Sequence, residues 1–261
     1  MKQPLLKIGI VGCGAIGKTI IEYCKTDLSD RVKLAGIYDL NKARATAGSL
    51  DELIDSSDLV IEAAAQDAAV EVLEKSIKAK KDVMIMSTGG ILRRQDLLDS
   101  ARENNCRIYF PSGAICGLDG VKAAVLRGVD SVTLTTRKPP QGLKGAPYVE
   151  ERGIDLDSIK DERLIFEGTA SLAAKGFPKN INVAAALSLA GIGAEKTMVR
   201  IVCVPGSKRN IHEIELKGES GRVSIITENL PFPENPKTSF LAALSAMATL
   251  RGIVDNVRIG T

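Results

Sequence analysis

The sequence predicts an α/β protein in two parts, a doubly wound parallel sheet followed by a second α+β domain built on an open mixed sheet. Three observations carry this. From residue 5 to residue 110, compact β-branched runs alternate with amphipathic stretches, the rhythm of a parallel sheet covered by helices on both faces. Gly12-Cys-Gly-Ala-Ile-Gly17 follows the first of those runs directly and opens a helix. At Pro111-Ser112-Gly113 the rhythm breaks, and period-two strands take over.

Strands of the first part are predicted at 7–11, 32–38, 59–63, 83–86 and 107–110. Between them fall helices at 15–25, 67–80 and 92–104 and a short helix at 41–47; the second and third carry apolar residues three and four apart with charged outer faces. Beyond Gly117 the pattern predicts a helix at 118–126 and a strand at 131–136, then a polar, Pro/Gly-punctuated stretch at 139–159 that reads as a mobile surface loop. A small-residue helix at 182–189 and strands at 198–204, 212–216 and 222–227 complete the mixed sheet. A proline-bounded approach, Pro231 to Pro236, precedes an apolar helix at 240–251 with Thr238 or Ser239 as N-cap, expected to return to the first domain. The expected division is therefore 1–112 plus 236–261 for the dinucleotide-binding domain and 113–235 for a substrate and dimerisation domain.

At 261 residues the chain is long enough for two domains with a core in each. Apolar residues make up 44% and charged residues 26%, which excludes the signature of disorder. A net charge of +3, from 35 basic and 32 acidic side chains, predicts neither a nucleic-acid nor a membrane surface, so small-molecule partners are expected. Five cysteines without a CxxC pair signal neither a disulfide framework nor a metal site, and with no signal-peptide pattern at the start a cytoplasmic setting is expected. The longest small-apolar stretch, 183–194, falls short of the roughly 20 residues that a spanning helix needs.

In the glycine motif, Gly12 permits the tight turn, Gly14 lets the backbone approach a pyrophosphate and Gly17 allows close helix–strand packing. Ala15 and Ile16 lie in the first helical turn, whose free N–H groups and positive dipole end attract an anion. This is the Rossmann fingerprint in its proper strand–turn–helix context. Asp39 ends the next strand about 20 residues on, where its carboxylate would accept from ribose hydroxyls; that favours NAD, while Lys42 and Arg44 nearby keep NADP open. Ala64 and Ser87, at the ends of later strands, are expected on the same carboxyl edge, where open α/β sheets bind ligands.

A Rossmann half does not identify a reaction, so the chemistry must be sought in the second half. His212 is the single histidine. The residues alone leave it open between a structural role and proton transfer near neutral pH. Asn180 and Asn182 precede a helix, where an amide either caps the helix or binds a carboxamide or ribose. Arg137, Lys138, Lys175, Lys179, Lys208 and Arg209 supply cations suited to a dicarboxylate, although spacing does not say which converge.

Taken together, six segments resemble the L-aspartate dehydrogenase family over nearly the whole chain: the glycine motif, Met86-Ser-Thr-Gly-Gly90, Pro111-Ser-Gly-Ala-Ile-Cys-Gly-Leu-Asp-Gly120, Phe166-Glu-Gly-Thr-Ala170, Phe177-Pro-Lys-Asn-Ile-Asn-Val-Ala184 and Asn210-Ile-His-Glu-Ile214. The resemblance implies NAD(P)-dependent oxidation of L-aspartate to iminoaspartate, which feeds NAD biosynthesis through quinolinate or hydrolyses to oxaloacetate and ammonia. It also implies that His212 is catalytic, that Ala114 and Asn180 contact the cofactor with Asn182 beside them, and that the protein is a homodimer. The alternatives are another two-domain amino-acid or semialdehyde dehydrogenase, or an NAD-sensing regulator without turnover. A dihydrodipicolinate reductase is excluded, because its adjacent histidine pair is impossible here.

Overall fold

The computed structural model describes residues 4–232 and 235–260. The chain divides into two compact units, residues 1–111 with 243–261 and residues 112–242. In the first, β1 (Leu6–Val11), α1 (Ala15–Lys25), β2 (Val32–Tyr38), α2 (Leu50–Ser56), β3 (Leu59–Glu62), α3 (Gln66–Lys78), β4 (Asp82–Ile85), α4 (Gln95–Glu103) and β5 (Ile108–Tyr109) follow one another. The five strands form one sheet in the order β2-β1-β3-β4-β5, every pair parallel. All four residues of β3 are buried, as a strand covered on both faces requires. One core layer joins Ile8, Ile10, Ile20 and Leu59 to Ala246 and Leu250; the other gathers Leu53, Val60, Val72, Leu73 and Val83 on the opposite face.

Helix α3 buries Ala69, Val72, Leu73, Ser76 and Ile77, the three- and four-residue spacing of one stripe. Asp67 stands in its first turn and Lys75 and Lys78 in its last, each sign matching the helix dipole. The expected helix at 41–47 is only a 3-10 turn, Lys42–Arg44, and α2 was not predicted. Its start is nonetheless written locally: Ser49 Oγ accepts from Glu52 N at 3.1 Å while the Glu52 carboxylate reaches back to Gly48 N at 2.8 Å. Seven residues are too few for an apolar period to register, which is why the pattern passed over it.

The second unit runs α5 (Leu118–Val125), β6 (Val129–Lys138), α6 (Pro147–Glu151), β7 (Arg163–Thr169), α7 (Ala170–Gly176), α8 (Asn182–Ala190), β8 (Thr197–Cys203), β9 (Asn210–Gly218) and β10 (Gly221–Asn229). A short pair, β11 (Pro231–Phe232) and β12 (Asn235–Ser239), precedes α9 (Phe240–Val254), which starts directly after Ser239. Of the proline-bounded approach, residues 233 and 234 lie outside the described residues. The sheet order is β10-β9-β6-β8-β7, with β6 and β8 parallel and the other pairs antiparallel, an open mixed sheet. Along β6 the burial alternates: Val132, Leu134, Thr136 and Lys138 are buried and the residues between them are half-exposed. No helix among the described residues is long and apolar enough to cross a membrane.

A second expectation differs from the structure. The stretch 139–159 is not a mobile loop: Pro140, Leu143, Ala146, Val149, Leu156 and Ile159 are buried and Tyr148 stacks against Phe166 and Phe177, with ring centroids 5.2 and 5.4 Å away. Pro and Gly mark its turns, and its scattered apolar residues pack without a period that the sequence displays. Strand β7 and helix α7 show no clear period in the sequence; Thr169, which closes β7, caps α7 by accepting from Leu172 N at 3.3 Å. Replacing Leu156 with Ala is expected to lower unfolding free energy by roughly 2–4 kcal/mol in urea titrations. A mobile surface loop would lose no more than about 0.5 kcal/mol.

Candidate active site

The glycine turn joins β1 to α1 at the carboxyl edge of the parallel sheet. Gly12 has φ +92°, and a Cβ there would meet the Ala63 carbonyl oxygen at 2.7 Å. A Cβ on Gly17 would stand 2.0 Å from the Gly12 carbonyl oxygen, so the third glycine is what lets the helix sit on the turn. Gly14 is different, because a Cβ there would meet nothing within 4 Å. Gly14 is exposed, Ala15 and Ile16 are half-buried, and the start of α1 carries no side-chain cap, so the first-turn N–H groups are left for an anion to satisfy. That is the cradle a pyrophosphate fits.

Asp39 locks the turn to the end of β2. Its carboxylate accepts from Cys13 N at 2.7 Å and from Asn41 N at 2.8 Å. The Cys13 bond holds its pKa below the usual range, with Asn41 and the charge of Arg44 adding to it. Unused lone pairs remain for ribose hydroxyls. Lys42 lies over the Tyr38 ring, 5.3 Å from its centroid.

The residue that sequence reasoning missed in this unit is Glu62. It ends β3 fully buried, and it gathers Ala64 and Ser87, both expected near the cofactor. Glu62 Oε1 accepts from Ala64 N and from Ser87 Oγ, each at 2.8 Å, and Oε2 from Ser87 N at 2.9 Å. Burial raises its pKa against the opposing effect of these bonds. One carboxylate thus fixes both loops beyond β3 and β4. The available signal was an acidic residue closing an otherwise apolar strand, Leu-Val-Ile-Glu.

In the second unit His212 lies on β9 opposite Thr136 of β6 and Thr227 of β10. It is 3% exposed, and its Nδ1 is 3.0 Å from Thr136 Oγ1. Thr227 Oγ1 donates to the carbonyls of His212 at 3.3 Å and Ala114 at 3.2 Å, and Asn229 Nδ2 donates to Ala114 at 2.9 Å, so Ala114 is fixed beside the histidine strand. Two residues beyond Thr136 on the same strand face, Lys138 donates through Nζ to Asn180 Oδ1. Asn180 Nδ2 reaches the Gly142 carbonyl at 3.4 Å. Asn180 therefore caps no helix; it belongs to a 3-10 turn, Pro178–Asn180, and no side chain caps α8, whose first residue is Asn182.

Burial, and after it the charge of Lys138, pushes the pKa of His212 down to about 3, while burial brings Lys138 down to about 8. The imidazole is thus neutral throughout the physiological range.

The glycine cradle on one sheet and the buried imidazole on the other mark a two-domain oxidoreductase that uses a nicotinamide dinucleotide. The family profile described as "Aspartate dehydrogenase, C-terminal" matches residues 119–253, and that described as "Homoserine dehydrogenase, NAD binding domain" matches residues 12–111. The L-aspartate dehydrogenase of Methanosarcina mazei is 48% identical over 98% of this chain and 100% of its own length. That of Bradyrhizobium diazoefficiens is 40% identical, covering 98% and 94%. The crystal structure of aspartate dehydrogenase from Thermotoga maritima superposes with a TM-score of 0.75 at 26% identity, over 98% of this chain and 100% of that one. The chain belongs to the L-aspartate dehydrogenase family.

Replacing Gly17 with Ala is expected to weaken NADH binding at least tenfold in fluorescence titrations and to lower the melting temperature, since the added methyl meets backbone. His212 makes a second prediction. Its folded pKa lies below its unfolded value of about 6.5. The unfolded chain therefore binds a proton that the native state refuses, and the stability present above that value is lost as pH falls toward 3. A His212→Gln variant is expected to show a shallower decline over this window, by up to about 1.4 kcal/mol per pH unit in denaturant titrations.

Proposed function

We propose that this protein is an L-aspartate dehydrogenase that uses NAD, with NADP also accepted. The observation that carries the proposal is full-length membership of the family, and a buried neutral imidazole on β9 supports it. Gly12, Gly14, Ala15, Ile16, Gly17 and Asp39 would hold the pyrophosphate and adenosine ribose, with Ala64 and Ser87 shaping the neighbouring edge. Ala114, Asn180 and Asn182 are the proposed contacts in the second unit. Bound dinucleotide supplies the hydride acceptor.

The substrate's α-ammonium must lose a proton before hydride can leave its carbon. His212 is proposed as the acceptor. This requires the tautomer in which Nδ1–H donates to Thr136 Oγ1, leaving the Nε2 lone pair free. Loss of one proton and one hydride converts the substrate to its iminium; loss of a further proton gives iminoaspartate, whereas addition of water gives oxaloacetate and ammonium. The product is suited to the quinolinate branch of NAD biosynthesis. The open outer face of the mixed sheet, with Ile226 and Leu164 exposed, supports a homodimer.

Initial rates of NAD(P)H formation with L-aspartate test the assignment, with L-alanine, L-glutamate and L-homoserine as controls. Turnover confined to L-aspartate is expected. His212→Ala should lower kcat by about 10²–10⁴-fold, the usual worth of a general base, while still binding NADH. Tight NADH binding without turnover of L-aspartate would refute the proposal and favour a dinucleotide sensor.

A further inference from the structure

Of the six basic residues of the second unit suited to gripping a dicarboxylate, burial and pairing separate one from the rest. Arg137 is held by Glu213 at 2.8 Å and Glu162 at 3.1 Å, and Arg209 by Glu228. Lys175, Lys179 and Lys208 are exposed. Lys138 is 9% exposed, donates to the neutral amide of Asn180, and has no carboxylate within ion-pair distance among the described residues. A buried ammonium with only an amide for company is costly, and an anion beside it removes most of that cost. Beside it lies a void with room for roughly one water, lined by Thr136, Lys138 and Asn180 with the apolar side chains of Leu143, Phe177 and Ile201.

We propose that Lys138 binds the side-chain carboxylate of the dicarboxylate substrate, with Asn180 orienting its ammonium. The proposal rests on L-aspartate being the substrate. Nζ has three N–H groups; Asn180 takes one and two remain for a carboxylate. Thr136, which holds His212, stands two residues away on the same strand face, roughly 7 Å along the chain. One small amino acid can therefore present its carboxylate to Lys138 and its amine to the imidazole. Charge links the two, because the cation that helps to keep His212 from accepting a proton is neutralised when a carboxylate arrives. The histidine gains basicity as the correct substrate binds.

The other titratable groups around Lys138 are accounted for. Cys203 lies opposite it on β8, buried and with its thiol pKa raised by burial, and His212 lies on β9. Arg137, with Glu213 and Glu162, belongs to the opposite strand face; Lys175 on α7 is exposed, and Lys144 pairs with Asp157 at 2.8 Å.

Calorimetric titration of the NADH-loaded enzyme with succinate and with propionate, which lacks the second carboxylate, tests the assignment. Wild type is expected to bind succinate at least tenfold more tightly than propionate, and to lose that advantage as pH rises past 8. Lys138→Met should abolish the preference with NADH affinity retained, and Lys138→Arg should restore part of it. Unchanged succinate affinity in a folded Lys138→Met overturns the proposal. So does an equal loss for both ligands, which would assign Lys138 to the α-carboxylate, and so does a wild type that does not prefer succinate. Failure of the substrate reading shows separately, as absent turnover of L-aspartate by the wild type.

Discussion

Burying a charged or strongly polar side chain is tolerated only where the fold itself supplies partners, and this chain does so at the end of each of its sheets. Glu62 closes a strand that is otherwise apolar, and its carboxylate accepts from two backbone N–H groups and one hydroxyl in the loops around it. Without those donors a buried carboxylate would not persist, and without the carboxylate the loops at 63–64 and 86–88 would lack the group that joins them. The glycine turn follows the same logic from outside: Asp39 ties Cys13 N to the end of β2, and the start of α1 beyond it carries no side-chain cap.

The second unit applies the constraint to cations and to imidazole. Period-two alternation on β6 sends Thr136 and Lys138 to the covered face, and antiparallel pairing sets His212 opposite Thr136. Thr136 satisfies one ring nitrogen. Burial then keeps the ring uncharged, with Lys138 reinforcing the effect. The function follows from where polar groups were placed in an apolar setting, since the same side chains exposed to water would titrate normally.

Much of this was legible in advance. The parallel sheet, its carboxyl-edge glycine motif and the mixed second sheet follow from period and punctuation, and His212 is the only imidazole the chain offers. What escaped had no period to show. Helix α2 spans seven residues and announces itself only through the Ser49–Glu52 cap. The segment 139–159 looks polar because its buried residues are scattered among charged ones, and only contact with Phe166 and Phe177 gathers them into a core. Glu62 was concealed in a run read solely for its apolar residues.

The sequence by itself determined the strand order's raw material, the anion-binding turn and the family, because those depend on local spacing and on residue types that only one backbone conformation accommodates. The tertiary structure decided which of several lysines and arginines is buried without a counter-charge, and that Asn180 orients a lysine instead of capping a helix. It also decided that the histidine is neutral. These are properties of solvent exclusion and of pairing between distant strands, and neither is a function of any window along the chain.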